Sequence, residues 1–244
     1  MSGHSKWSNI KHKKEKSDAQ KAKIYTKLGR EIAVAVKAGG PDPSINGKLK
    51  DIIAKARANN MPNDNVKRCI EKATGSQEND NYEDIVYEGY GPRGVAVIVE
   101  ALTDNRNRTA ADVRHYFDKF GGNLGTNGCV SFMFDKYGVL IVEKNDSVSE
   151  EELMDAAMEA GAQDFNEEDE VYEILTTPEE FSFVREELEN KGFEFLKAEV
   201  TLVPQTYVSL TDEKDILMME KLIEHLEDND DVQNIYHNWE ECED

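Results

Sequence analysis

Apolar residues in the first third of the chain recur at three- and four-residue steps, the spacing of a helix face. Ile24, Tyr25, Leu28, Ile32 and Val36 make one stripe, and Gly39-Gly40-Pro41 ends it, so the pattern predicts a helix over 18–38. A second helix is expected over 44–59, with Ser44 as N-cap and Leu49, Ile52, Ile53 and Ala56 inward. Pro62 suits the first turn of a third helix, lined by Val66, Cys69, Ile70 and Ala73 and ended by Gly75. A polar linker follows at 76–80.

Beyond it the pattern changes to short strands alternating with helices. Strands are predicted at 85–89 and 95–102, a helix at 109–120 stopped by Gly121-Gly122, and a strand at 130–134. From Gly138 onward strand 138–143, helix 149–160, strands 163–166 and 170–176, helix 178–190 and strand 193–203 follow the β-α-β-β-α-β order of a ferredoxin-like unit. Segments 206–210, 212–227 and 232–237 read as a further β-α-β that completes the sheet begun at 85. The expected architecture is α+β: an N-terminal three-helix module, then two α/β domains of ferredoxin-like character, one inserted in the other. The expected boundaries are 1–77 for the basic helical domain with its arm, 78–134 with 205–244 for a discontinuous domain, and 135–204 for the acidic insertion.

Charge adds a division that the hydrophobic pattern does not show. The 244 residues carry a net charge of −21, yet residues 1–77 hold 17 Lys+Arg against 7 Asp+Glu, and the remainder 12 against 43. A basic segment on an acidic chain suits a polyanion, and the acidic part would orient it by repulsion; the plainer reading is that the acids only keep the protein in solution. No apolar run reaches a membrane span, and residues 1–16 carry neither a secretory h-region nor an organelle presequence pattern. Cys69, Cys129 and Cys242 are too few and too scattered for a disulfide framework or a metal knuckle. A cytoplasmic protein is expected.

Several motifs invite a chemical reading and lose it on inspection. Gly89-Tyr90-Gly91-Pro92-Arg93-Gly94 matches a dinucleotide fingerprint in letters, with Asp112 near the spacing of a ribose-binding acid. However, Gly94 opens a β-type run, where the fingerprint needs a helix N-terminus, so a hairpin turn is predicted. His4 and His12 are too isolated to close a metal site, and the acidic runs 167–170 and 228–231 lack calcium-loop spacing and read as solvated loops. Cys129 could be paired on paper with His115 or His237, but flanked by Val130 and Phe132 it reads as a small core residue. No nucleophile–base pairing stands out; neither an enzyme nor a cofactor or metal is expected.

Two segments carry binding chemistry. The first sixteen residues read as a mobile basic arm with Lys6, Lys11, Lys13, Lys14 and Lys16, alongside His12. Trp7 among these lysines can stack on an unpaired base while they neutralise phosphates; equally, it can pack back on the helical module. Lys21, Lys23, Lys27, Arg30 and Arg57 extend the basic character into the helices. The second segment, 103–109, sets Arg106 and Arg108 beside a predicted helix N-terminus, where N–H groups and dipole favour anions. Pairing of both arginines with Asp104 and Asp112 is the alternative.

Gly3-His4-Ser5-Lys6-Trp7, Ile10-Lys11-His12-Lys13, Asn60-Met61-Pro62-Asn63-Asp64-Asn65, the 103–109 segment and Gly121-Gly122-Asn123-Leu124-Gly125 resemble the YebC/PmpR family. The resemblance is strong over the first ~135 residues and good over 232–239, and it extends to the insertion mainly in pattern. It implies a three-domain fold, one helical domain and two α/β domains. The family's members have long been named DNA-binding transcriptional regulators; mitochondrial relatives activate translation of cytochrome c oxidase, and bacterial members are implicated in helping ribosomes through proline-rich stretches. The chain looks like a bacterial member, and serine is common in the family where it has Cys129. The resemblance, taken with the charge division, points to a ribosome-associated translation factor whose basic module contacts ribosomal RNA. Duplex DNA binding as a transcriptional regulator is the first alternative, and a protein-interaction scaffold using the acidic face, read from charge alone, is the second. The partner of the acidic domains stays open.

Overall fold

A computed structural model of the chain describes residues 18–75 and 82–240. The basic arm with Lys6, Trp7, Lys11, His12, Lys13, Lys14 and Lys16, the linker 76–80 and Cys242 lie outside these residues. The fold is α+β: the described residues form seven α-helices and predominantly antiparallel sheets, a helical region preceding the strand-rich part. The described residues divide into two compact units, one formed by 135–203 and the other by the rest.

In the larger unit, helices α1 (Asp18–Gly39), α2 (Gly47–Ala58) and α3 (Asn63–Gly75) close around Leu28, Ile32, Val36, Leu49, Ile52, Ala56 and Val66. The helix stripes read from sequence are thus the buried faces. The cap of α2 differs from expectation: Asn46, not Ser44, holds that position. Its Oδ1 accepts the Leu49 N–H while its Nδ2 donates to the carbonyls of Ala35 and Gly40, which ties the end of α1 to the start of α2. Ser44 instead donates its N–H and hydroxyl to the Asp42 carboxylate two residues earlier.

The same unit contains a four-stranded antiparallel sheet built from β1 (Glu83–Tyr90), β2 (Ala96–Thr103), β3 (Asn123–Leu124) and, from far along the chain, β9 (Val232–His237). Its strand order is β3-β1-β2-β9. Helices α4 (Arg106–Lys119) and α7 (Glu213–Asp228) cover one face, where Val97 and Val99 of β2 meet Val113, Phe117, Met219, Leu222 and Leu226. The fingerprint-like glycine run is the β1–β2 connection, a 3-10 turn at Pro92–Gly94. Gly94 sits at φ +82°, and a Cβ on Gly89 would stand 2.6 Å from the Asn123 carbonyl oxygen. These glycines serve a tight turn and close backbone packing, because the segment joins two strands and opens no helix.

Two expectations fail in this unit. Segment 206–210 does not join the main sheet; β8 (Val208–Ser209) pairs in parallel with β10 (Trp239–Glu240) as a separate ribbon. Residues 130–134 do not form a strand of their own: Ser131–Met133 make a 3-10 turn, and β4 (Phe134–Glu143) starts only after it. The cause is a buried side chain. Glu88 on β1 accepts the N–H groups of Gly128, Val130 and Ser131 at 2.7, 2.9 and 2.8 Å, which withdraws these donors from any strand ladder.

The smaller unit has the ferredoxin-like connectivity read from sequence: β4, α5 (Glu150–Ala160), β5 (Asp164–Glu167), β6 (Val171–Thr176), α6 (Phe181–Asn190) and β7 (Lys197–Pro204), with strand order β5-β6-β4-β7. Alternate residues Leu140 and Val142 face Leu153, Ala157, Val184 and Leu188 of the two helices. Gly138 opens the paired stretch of β4, opposite Thr176. A Cβ there would lie 2.2 Å from the Thr176 hydroxyl and 2.7 Å from Phe181 Cβ. Gly138→Ala should therefore cost about 2–3 kcal/mol through overpacking, read as a lower urea midpoint at unchanged slope.

Candidate nucleic-acid interface

The basic residues of the helical module take two different environments. On α1, Lys23, Lys27 and Arg30 are spaced at four and three residues, so they share one face. That face meets the end of α7. Lys23 Nζ contacts Asp228 Oδ1 at 2.6 Å, Lys27 Nζ donates to the Glu227 carbonyl at 2.8 Å, and Arg30 Nη1 donates to the Asp230 carbonyl at 2.7 Å. A helix C-terminus exposes unpaired carbonyls and a partial negative charge, so it attracts cations. These three residues, assigned to a polyanion from sequence, are engaged inside the protein.

The anchor of this contact is Asp231, whose side chain is only 5% exposed. Its Oδ1 accepts Arg30 Nη1 at 2.8 Å; its Oδ2 accepts Arg108 Nη2 at 2.7 Å, with the Thr109 hydroxyl at 2.8 Å and that of Thr103 at 3.2 Å. Burial alone would push the Asp231 carboxyl up, but the hydrogen bonds from Arg108, Thr109 and Arg30 outweigh it and hold it below the usual carboxylate range. In the run 228–231, therefore, Asp228 and Asp230 are exposed as a solvated segment would be, but Asp231 is buried and accepts from α1 and α4 together.

Residues 103–109 explain themselves around this carboxylate. Thr103 ends β2, and Asn105 caps α4 by accepting the Arg108 N–H at 3.1 Å. The helix begins at Arg106, three residues before the predicted start, which puts both arginines in its first turn. Cations are disfavoured there by the dipole; Arg108 is compensated by Asp231 and, at 2.9 Å, by Asp104. The hydrogen bonds it donates to those two carboxylates raise its pKa and favour the charged guanidinium. Arg106 differs, being exposed and without a hydrogen bond or ion pair among the described residues. Of the internal pairing considered from sequence, Arg108–Asp104 is present, and Asp231 is the partner that spacing did not disclose.

Lys27 carries an electrostatic cost of its own. Burial lowers its pKa to about 8, only partly offset by the charges of Glu227, Asp230 and Asp228. With a folded value below the unfolded 10.5, the unfolded chain binds more protons between these limits, so stability rises as pH rises through that window. Between pH 7 and 9.5 this amounts to about 2 kcal/mol. Thermal unfolding of the wild type should gain that much relative to Lys27→Met, whose stability lacks this slope.

The basic residues left facing outward lie mainly on α2 and α3. Lys48 and Arg57 of α2 and Lys67 and Lys72 of α3 are exposed and form no hydrogen bond or ion pair among the described residues. Lys21, at the start of α1, is exposed as well. Of these, sequence reasoning named Lys21 and Arg57. It passed over Lys48, Lys67 and Lys72, although their positions opposite the Leu49–Ile52–Ala56 and Val66–Ala73 stripes were legible. The 125–131 turn is held by Glu88, whose carboxyl burial would raise but whose three N–H partners lower. Cys129 on that turn is pushed up by burial and by Glu88, so its thiol stays protonated. Among the described residues no group of three or more His, Cys, Asp or Glu could hold a metal ion, and no helix is long and apolar enough to cross a membrane.

Fold and site together define a three-helix module with an outward basic surface, clasped to an α/β sheet domain and joined to an acidic ferredoxin-like unit. Residues 5–76 match the TACO1/YebC protein N-terminal domain, and residues 82–239 match the TACO1/YebC second and third domain. The chain belongs to the TACO1/YebC family. A probable transcriptional regulatory protein of Acetivibrio thermocellus is 67% identical over 239 residues, which cover 98% of this chain and 99% of the relative. One of the same description from Ruminiclostridium cellulolyticum is 63% identical over 243 residues, 100% and 98% of the two chains. The crystal structure of a conserved hypothetical protein from Aquifex aeolicus superimposes with a TM-score of 0.84 at 47% identity and covers 98% of both chains.

Proposed function

We propose that this protein is a cytoplasmic nucleic-acid-binding regulator of gene expression that acts on the ribosome, where it contacts ribosomal RNA and eases synthesis through proline-rich stretches. The observation that carries the nucleic-acid reading is the outward basic surface of Lys48, Arg57, Lys67 and Lys72 on a chain of net charge −21. Free cations concentrated on one module of an acidic protein are an electrostatic footprint for phosphate. They are spread over two helices and not focused on one base-reading face, which suits the irregular phosphate surface of folded RNA. The ribosomal role follows from the family resemblance. Proline reacts slowly because its ring locks φ, and a bound protein that orders the reacting ends helps by positioning alone, without cofactor or covalent chemistry of its own.

Duplex DNA is the second reading, and the regulatory names of the relatives favour it. Helix α3 carries Asn63, Asn65 and Arg68, types that read base edges. Arg68 Nη2, however, donates to Asn65 Oδ1 at 2.7 Å, so the two occupy each other.

Replacing Lys48, Lys67 and Lys72 together with Glu should weaken binding to a ribosomal RNA fragment at least tenfold and flatten its salt dependence by about two to three phosphate contacts. In cells, ribosome profiling of a deletion strain should show increased occupancy at consecutive proline codons. Unchanged occupancy, with promoter DNA recovered by crosslinking, would decide for the DNA reading.

A further inference from the structure

We propose that α1 carries a second phosphate-binding face, Lys23, Lys27 and Arg30, which the chain's own acidic segment 227–231 covers as an internal competitor, and that RNA binding uncovers it. This rests on the reading of the protein as an RNA-binding factor.

The geometry is that of a basic helix face meeting a row of oxygens. Asp228 Oδ1, the Glu227 and Asp230 carbonyls and Asp231 Oδ1 lie 2.6 to 2.8 Å from the three cations. A nucleic-acid backbone offers the same acceptor chemistry, an array of anionic oxygens, with more charge at each point than a backbone carbonyl holds. The cover is also unevenly attached. Arg30 has the buried Asp231, but Lys23 and Asp228 are 38% and 59% exposed, a setting in which ion pairs contribute little. Lys27, between them, is placed against a neutral carbonyl in a desolvated position, where an ammonium is poorly compensated. Two of three cations would thus exchange their present partners for phosphates with a net gain. A ligand that interacts better with one of two arrangements shifts the protein toward it.

The experiment uses the full chain and one probe, a bulged RNA hairpin. Asp228→Asn/Asp230→Asn weakens the cover and leaves Asp231 in place. Glu151→Gln/Asp155→Asn, on exposed positions of α5, removes the same net charge elsewhere. The first variant should bind the hairpin at least fivefold more tightly than wild type, and the second less than twofold. In a chain with Cys69, Cys129 and Cys242 replaced by Ala, spin labels at Thr26→Cys and Glu224→Cys, on α1 and α7, should move apart when RNA is added. Equal gains in the two variants, or no gain in the first, overturn the internal competitor while wild-type binding still supports the RNA reading. A label distance unchanged in the RNA-bound protein overturns it as well. If no form binds the hairpin, the RNA reading fails, and the competitor with it.

Discussion

Asp231→Asn is expected to lower the free energy of unfolding by about 3–5 kcal/mol, the range for removing one partner of a buried ion pair. The substitution keeps the shape and deletes the charge. Arg108 and Arg30 then have an amide where each had a carboxylate oxygen, and the Thr103 and Thr109 hydroxyls lose a strong acceptor. Arg108 also lies in the first turn of α4, where the dipole disfavours it, so the helix start loses its compensation. Differential scanning calorimetry should show a fall in Tm of roughly 10 °C for a protein of this size. A variant as stable as wild type would mean that Asp104 alone neutralises Arg108 and that the α1–α7 contact holds without its anchor.

Glu88→Gln should cost roughly 2–4 kcal/mol. Glu88 is 5% exposed and accepts three backbone N–H groups. An amide has one acceptor oxygen in place of two, so at least one of these donors must face an NH2 group, and hydrogen bonds to a charged acceptor are the strong kind. Both carboxyls are held below their ordinary range in the fold. Their contributions are therefore complete above the unfolded carboxylate pKa of ~4 and are lost as pH falls below it. An acid titration monitored by circular dichroism should show the wild type losing stability there, and each variant losing less over the same interval. Hydrogen exchange should speed up at the amides of Gly128, Val130 and Ser131 in Glu88→Gln even at neutral pH, where global unfolding is still rare.

The site was legible in sequence only in part, for a reason that particular residues show. Local spacing revealed which residues of α1, α2 and α3 face inward, and by complement which face outward. It could not reveal that the outward face of α1 meets residues about 200 positions later. Lys23, Lys27 and Arg30 therefore looked like free cations, and Asp228–Asp231 like free anions. Nor could spacing disclose the role of Glu88 on β1, because its donors lie 40 to 43 residues away in a segment whose apolar letters suggest a strand.

What the sequence determined by itself was whatever depends on neighbours within a few turns. Helix stripes, the ferredoxin-like alternation of the insertion, the hairpin at Gly91–Gly94 and the charge division between the first 77 residues and the rest all follow from periodicity and composition. The tertiary structure alone decided which charges are spent internally. That choice depends on long-range closure, which brings the start of β9 beside the end of β2 and the middle of α1. Only there does a single buried carboxylate collect two arginines, because one unpaired charge of either sign would be too costly to bury. The basic surface left for a partner is what remains after that internal pairing.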